Sequence, residues 1–301
     1  MSQASQVKVA DRERTAQRLL KSSADKFYDP EVDINWDAPL AEGKIYQPEH
    51  RTSLYGTQLW DQLTSDQRVE LGKHEAASIA SVGLWFEMIL MQALVKEAYH
   101  SDPTSRHAHY ALTEIADECR HSVMFARAIE KVGAPAYGPP AAVWRVGRLF
   151  PLVARGPSMY GAILVAEETL DRLQREAMAD EAVQPLIRMV NRIHVLEEAR
   201  HVTFARQEVA RGMASMNRVE LAYQREILAY LCFLVMRSMI NPQVYRAVGL
   251  DPRQARRAAL ANPHHQETVR WSGERIMKFL GEVGLVGTPG VRWWRKSFLL
   301  A

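Results

Sequence analysis

Asp117-Glu118-Cys119-Arg120-His121 and Glu197-Glu198-Ala199-Arg200-His201 are the same pentapeptide in chemical terms, offset by 80 positions. Glu-x-x-His places a carboxylate and an imidazole at i and i+3, where both leave one helical face in the same direction. The duplication extends backwards. Glu87 precedes Glu118 by 31 residues, and Glu167 precedes Glu198 by 31. Each half therefore reads Glu…Glu-x-x-His, a set of side chains suited to holding metal cations. The chain carries its own control. Glu97-Ala98-Tyr99-His100 has the spacing, but the positions 80 further on are Ala177 and Asp180, so that pair is not expected to take metal.

The spacing also sets a fold. Thr64-Ser65-Asp66-Gln67 reads as a capping box and predicts a long helix from near Thr64 through Glu87 towards Tyr99, ending before Asp102-Pro103. A second helix follows Pro103, carries Glu118 and His121, and runs to about Lys131. From Glu87 the chain climbs about 13 residues, turns, and descends about 14 to Glu118. At ~1.5 Å per residue each leg is ~20 Å, so the two carboxylates return to one height. The second half repeats the pattern: a third helix holds Glu167 and ends near Ala179. A fourth, from about Glu181 to Met213, holds His194, Glu198 and His201, and one iron is expected to be served mainly by each hairpin. Residues 132–155, with Gly133, Pro135, Gly138, Pro139, Pro140 and Pro151, form a long connection. Two antiparallel hairpins joined by one long crossover are the ferritin-like four-helix topology, in which such carboxylates and histidines converge on a di-iron site.

Around that bundle, residues 1–55 begin with a short polar helical pattern and turn irregular at Tyr28-Asp29-Pro30, Asn35–Pro39 and Gln47-Pro48. They read as a wrapping arm, with the metal-binding helical domain over 56–301. Helical patterns at about 217–240, 252–261 and 266–283 predict additional C-terminal helices, the Met and aromatic residues of 227–240 reading as core rather than as a substrate box. The final Arg292-Trp293-Trp294-Arg295-Lys296 reads as a docked tail. Nothing alternates with period 2 for long enough to argue for a sheet. The expected class is all-α.

Composition narrows the partners. With 301 residues and 47% hydrophobic content the chain can bury a substantial core. A net charge of +3 with no basic run gives no footprint for nucleic acid. Cys119 and Cys232 are too few for a disulfide framework and point to a reducing compartment. The polar start, Met1-Ser2-Gln3-Ala4-Ser5-Gln6, lacks the apolar stretch of a secretory signal. The longest apolar run, Ile227 to Met236, is shorter than a membrane-spanning helix. The expected setting is cytoplasmic, without a membrane partner.

Four buried glutamates, Glu87, Glu118, Glu167 and Glu198, cannot all stay ionised in one site unaided. Two divalent cations would neutralise them charge for charge. His121 and His201 add neutral imidazoles, and the mixed oxygen and nitrogen set suits two iron ions, or a manganese–iron pair, with positions left open for dioxygen. Apolar neighbours on both sides of Glu87 and before Glu167 make an unpartnered carboxylate costly there. Glu168 faces about a hundred degrees away and ranks below Glu167. Asp117 and Glu197, one residue before the ligating glutamates, are candidates to accept the second ring N–H of a ligating histidine. Arg120 and Arg200 point away from the metals and could anchor those acids. His194 shares the stripe of Glu198 and His201 and is a candidate third imidazole. Its counterpart 80 residues earlier is Glu114, left open between a supporting and an exposed position.

The set Glu87, Glu118-x-x-His121, Glu167 and His194-x-x-x-Glu198-x-x-His201 resembles the ligands of the di-iron arylamine N-oxygenases, a ferritin-like family typified by p-aminobenzoate N-oxygenase. The similarity spans roughly residues 55–285, with a further echo at Ser272-Gly273-Glu274-Arg275-Ile276. It implies a homodimeric enzyme that takes dioxygen and electrons from an external donor to oxidise an aromatic amine. It also implies a basic residue near the substrate carboxylate, for which Arg275 is the candidate. On the residues alone three other readings stay open: di-iron hydroxylation, desaturation or cleavage of an aliphatic substrate; a ferroxidase or iron-handling protein; and a structural helical protein without metal.

Overall fold

The computed structural model describes residues 11–301, so the polar stretch Met1 to Gln6 lies outside the described residues. Each long helix begins where the sequence supplies a cap. Helix α1 (Arg12–Asp25) starts where Asp11 accepts from the Arg14 N–H. Helix α2 (Ser65–His100) opens on the reciprocal capping box of Thr64 and Gln67. Helix α3 (Arg106–Val132) is capped by Ser105 and stops at Gly133, whose φ of 71° an L side chain rarely adopts. Helix α4 (Pro157–Ala179) and α5 (Pro185–Met213) both begin on a proline, which needs no donor in the first turn. Helix α5 starts later than Glu181 because Ala182 and Gln184 first bond the backbone of Ile45 in the N-terminal segment. Helix α6 (Arg218–Ser238) has its own Asn217/Glu220 box, and α7 (Pro252–Ala261), α8 (Pro263–Glu282) and α9 (Val291–Lys296) follow.

The hairpins α2–α3 and α4–α5 face each other through α3 against α5 and α2 against α4, closing a four-helix bundle. The crossover between α3 and α4 carries two short helical turns, Ala141–Gly147 and Phe150–Val153. Among the described residues there is no strand, only an isolated bridge between Ile45 and Val183. The main core runs through the bundle and into its cover. Leu90, Leu94, Leu164, Leu228 and Leu280 are fully or almost fully buried in it, each stabilising the fold by about 1.5–3 kcal/mol. Helices α6 and α8 pack on α4, and α9 docks on α6 with Trp294 fully buried.

Helix α1 lies across α3 and α5. Its Arg12 guanidinium bonds Glu97 and Glu208 at 2.9 Å each. The control pair is thereby placed: Glu97 is occupied by Arg12 and His107, while His100 is exposed. Two stretches, Ser65–His100 and Arg218–Val248, are long and apolar enough to cross a membrane, although neither holds an unbroken apolar run of that length. Both are packed helices of the bundle and its cover, and α2 carries buried Glu75 and Glu87.

Candidate metal centre

The two hairpins bring all seven expected ligands together, none more than 4% exposed. Glu87 comes from α2, Glu118 and His121 from α3, Glu167 from α4, and His194, Glu198 and His201 from α5. His121 Nδ1 lies 3.0 Å from Glu118 Oε2 and 3.7 Å from Glu198 Oε1. His201 Nδ1 lies 2.8 Å from Glu198 Oε1 and 3.1 Å from Glu118 Oε1. Both imidazoles thus turn the same nitrogen towards the same two glutamates. His194 approaches with Nε2, 3.8 Å from Glu87 and 3.9 Å from both Glu167 and Glu198. Donors bound at ~2.0–2.2 Å to a shared cation sit roughly 3–4 Å apart, so the His194 distances, too long for hydrogen bonds, suit a metal.

The halves interlock more than the sequence suggests. Within the seven expected ligands, the sets of donors close enough for one cation are Glu87 with His121 and His194, Glu118 with His121 and Glu198, and Glu167 with His194 and Glu198. Every such set but the last mixes hairpins, so the expectation of one cation per hairpin gives way to shared positions. The cause is the direct contact of α3 with α5, which points the two Glu-x-x-His faces at each other.

The outer nitrogens are exchanged as well. His121 Nε2 faces Glu197 Oε2 at 2.8 Å, and His201 Nε2 faces Asp117 Oδ2 at 3.1 Å. Arg120 pairs with Asp117, and Arg200 lies 3.5 Å from both Asp117 and Glu197. Glu168 turns away and pairs with Arg206.

Without a cation these groups must share protons. Burial raises Glu167 well above the usual carboxylate range, and Glu198, Glu118 and Glu87 push it further. Burial likewise raises Glu87. Burial would raise Glu118 too, but the adjoining His201 and His121 override it and hold it low. Burial would lower His121, yet Glu118 and Glu197 lift it to about 10. Glu198 Oε2 is buried with no hydrogen-bond partner among the described residues. An anionic cluster that holds extra protons and an orphaned carboxylate oxygen fits a pair of divalent cations, whose charge would replace those protons.

Sequence reading missed several neighbours. Ser122 donates to Glu87 Oε2 at 2.7 Å, and Gln174 meets His194 Nδ1 at 2.8 Å. Gln174 sits two turns beyond Glu167, a spacing that could have found it. Glu114 is buried beside Glu118 and His201, which resolves its open placement. Burial raises it well above the usual range. Arg275 is exposed and does not reach the interior, because Ile276, Met277 and Leu280 turn the other face of α8 inward.

A cavity of about 180 Å³ adjoins the cluster. Phe125 lines it with its ring 4.9 Å from the His194 ring, and Gln174 lines it while bonding His194. The wall uses Lys73, Ala76, Ala80 and Gly83 of α2, Ala128 and Val132 of α3, Thr169 to Ala177 of α4, and Ile187 to Asn191 of α5. All lie on one side of the ligands along the bundle axis, so the cavity occupies one half of the bundle. Met236 and Met239, read from sequence as core, face it together with Ile240, as do Arg237, Arg256 and His265.

A four-helix bundle with paired Glu-x-x-His helices and two further buried glutamates is the architecture of the di-iron carboxylate proteins, and its donors are grouped closely enough to hold metal ions. The chain matches the p-aminobenzoate N-oxygenase AurF family over residues 9–284, and it belongs to that family of di-iron oxygenases. It is similar to uncharacterized proteins of Mycobacterium tuberculosis (strains CDC 1551 / Oshkosh and ATCC 25618 / H37Rv) and Mycobacterium bovis (strain ATCC BAA-935 / AF2122/97). Each is 32% identical over 233 residues, covering 74% of this chain and 66% of the relative. The chain thus spans just under two thirds of the length of those relatives.

Proposed function

We propose that the protein is a di-iron monooxygenase that oxidises the nitrogen of an aromatic amine. The observation that carries this reading is the seven-residue cluster at the closed end of a largely apolar chamber. Glu87, Glu118, His121, Glu167, His194, Glu198 and His201 would hold two iron ions, a manganese–iron pair having the same ligand preferences. Bound iron would supply the redox chemistry by which dioxygen is reduced and the substrate oxidised, with electrons from an external donor. The chain's own residues bind, orient and exclude water. Glu197 and Asp117 fix the ring orientation of His121 and His201, and Arg120 and Arg200 hold those acids in place. Gln174 fixes His194. Phe125, Ala128 and Leu170 keep bulk water from the reacting end of the chamber.

The family resemblance further supports a homodimer, and the two cysteines fit a reducing, cytoplasmic setting. Exposed Met88, Val95 and Tyr99 on α2 and Leu112 and Val123 on α3 supply an apolar face for the second copy. A second reading is oxidation at carbon of an aliphatic substrate, favoured by the chamber's predominantly apolar wall. The test is anaerobic reconstitution with ferrous salt, then exposure to air with a reductant and a panel of aromatic and aliphatic amines. N-oxidised products in the mass spectrum support the first reading. Carbon-oxidised products alone would replace it with the second, and colourless iron uptake without product would favour an iron-handling role.

A further inference from the structure

The chamber has a length and a polarity that the proposed reaction does not require. Along α2 its wall runs from Gly83, one turn from Glu87, back to Lys73. That is ten residues, or ~15 Å of helix. The face is formed by Lys73, Ala76, Ala77, Ile79, Ala80 and Gly83, four of the six being alanine or glycine, and a Cβ built on Gly83 would meet nothing within 4 Å. Small side chains here leave space where a bundle of this size would ordinarily pack leucine.

The chamber's two ends differ. Near the cluster it ends on Phe125, Gln174 and Thr169, whose hydroxyl is buried without a partner among the described residues. Its remote part is basic. No acidic side chain lines the cavity, while Arg237 and Arg256 do so with no acidic partner among the described residues. Arg237 Nη1 and His265 Nδ1 are buried and unpartnered there. Burial, and then the charge of Arg256, hold the Arg237 guanidinium below its ordinary value. The other two basic side chains of the wall are already neutralised, Arg51 by Glu176 and Lys73 by Glu70.

We propose that the substrate is an elongated amphipathic acid: an apolar body filling the cavity, its anionic head on Arg237 and Arg256 and its reacting end at His194. This rests on reading the cavity as the substrate chamber. A single para-substituted ring is too short to satisfy both ends at once. Either a long aryl-substituted acid or a long aliphatic acid meets the requirement, and probes separate the two.

The experiment measures binding by tryptophan fluorescence to the metal-free protein, so that it stands apart from the metal reading. The probes are para-aminobenzoate, para-aminophenylbutanoate, ω-aminododecanoate and the methyl esters of the last two. At least one long acid should bind at least about tenfold tighter than para-aminobenzoate, since each buried methylene favours binding several-fold. Preference for the aryl acid or the aliphatic acid then identifies the body. Ala76→Leu, which blocks the remote half, should remove that advantage and leave para-aminobenzoate unchanged. Arg237→Gln should weaken the acids about tenfold and spare the esters. Equal affinity for para-aminobenzoate and both long acids in the unmodified protein would overturn the proposal, even if Ala76→Leu did not fold. Equal loss of acids and esters in Arg237→Gln would overturn the assignment of the head.

Discussion

His121 on the first hairpin is held at its outer nitrogen by Glu197 of the second, at 2.8 Å, and His201 is held in return by Asp117 of the first. Each half of the repeat orients the other's imidazole. A partner of this kind typically contributes 10–100-fold to metal affinity. Glu197→Ala is therefore expected to weaken iron binding by about that factor, read from competition with a chromophoric chelator. An unchanged affinity would remove Glu197 from the site.

Deleting a ligand should have a larger effect than deleting its support. Glu118→Ala or His201→Ala is expected to abolish both iron loading and activity, with elemental analysis giving well under two ions per chain. His194→Ala should keep some metal but alter the visible spectrum of the loaded protein. Two ions retained in His201→Ala would contradict the ligand set.

Glu75 offers a pH signature away from the cluster. It is fully buried, accepts from Ser53 N–H and from Gln47, and burial raises it to about 7. A carboxyl raised on folding gives its full stabilisation below its unfolded value of 4.5 and loses it as pH rises through about 7. Denaturant melts should show this loss between about pH 4.5 and 7, worth up to ~3 kcal/mol. Glu75→Gln should flatten that dependence. A variant with the same slope as the parent would refute the assignment.

Arg12 fastens α1 to the bundle through Glu97 and Glu208. Because its side chain is 37% exposed, the expected cost of Arg12→Ala is only about 1 kcal/mol. The clearer readout is limited proteolysis, which should release α1 sooner in the variant.

The apolar face of α2 and α3 predicts a dimer in sedimentation. Val95→Asp with Leu112→Asp should shift the protein to monomer with its metal content intact.

The architecture was legible because the repeat constrains it twice, through the 31-residue return of each hairpin and the 80-residue offset between them. Thr64, Gly133 and Pro157 then mark helix ends by local chemistry alone. The exchange of Asp117 and Glu197 between hairpins was not legible, since sequence spacing fixes which face a residue occupies but not which neighbouring helix it meets. Arg275 failed for a related reason: its helix was recognised, but the inward face of α8 is set by packing on α4. The hollow could not be read either, because Ala76, Ala80 and Gly83 look like ordinary small helical residues until the opposite wall is known.

Gly83 brings opposing pressures on this protein into one position. Alanine there would favour the helix by about 1 kcal/mol, and the added methyl would occupy open space rather than collide. The same methyl would narrow the chamber one turn from Glu87. Helix stability and an open chamber therefore make opposite demands on this residue.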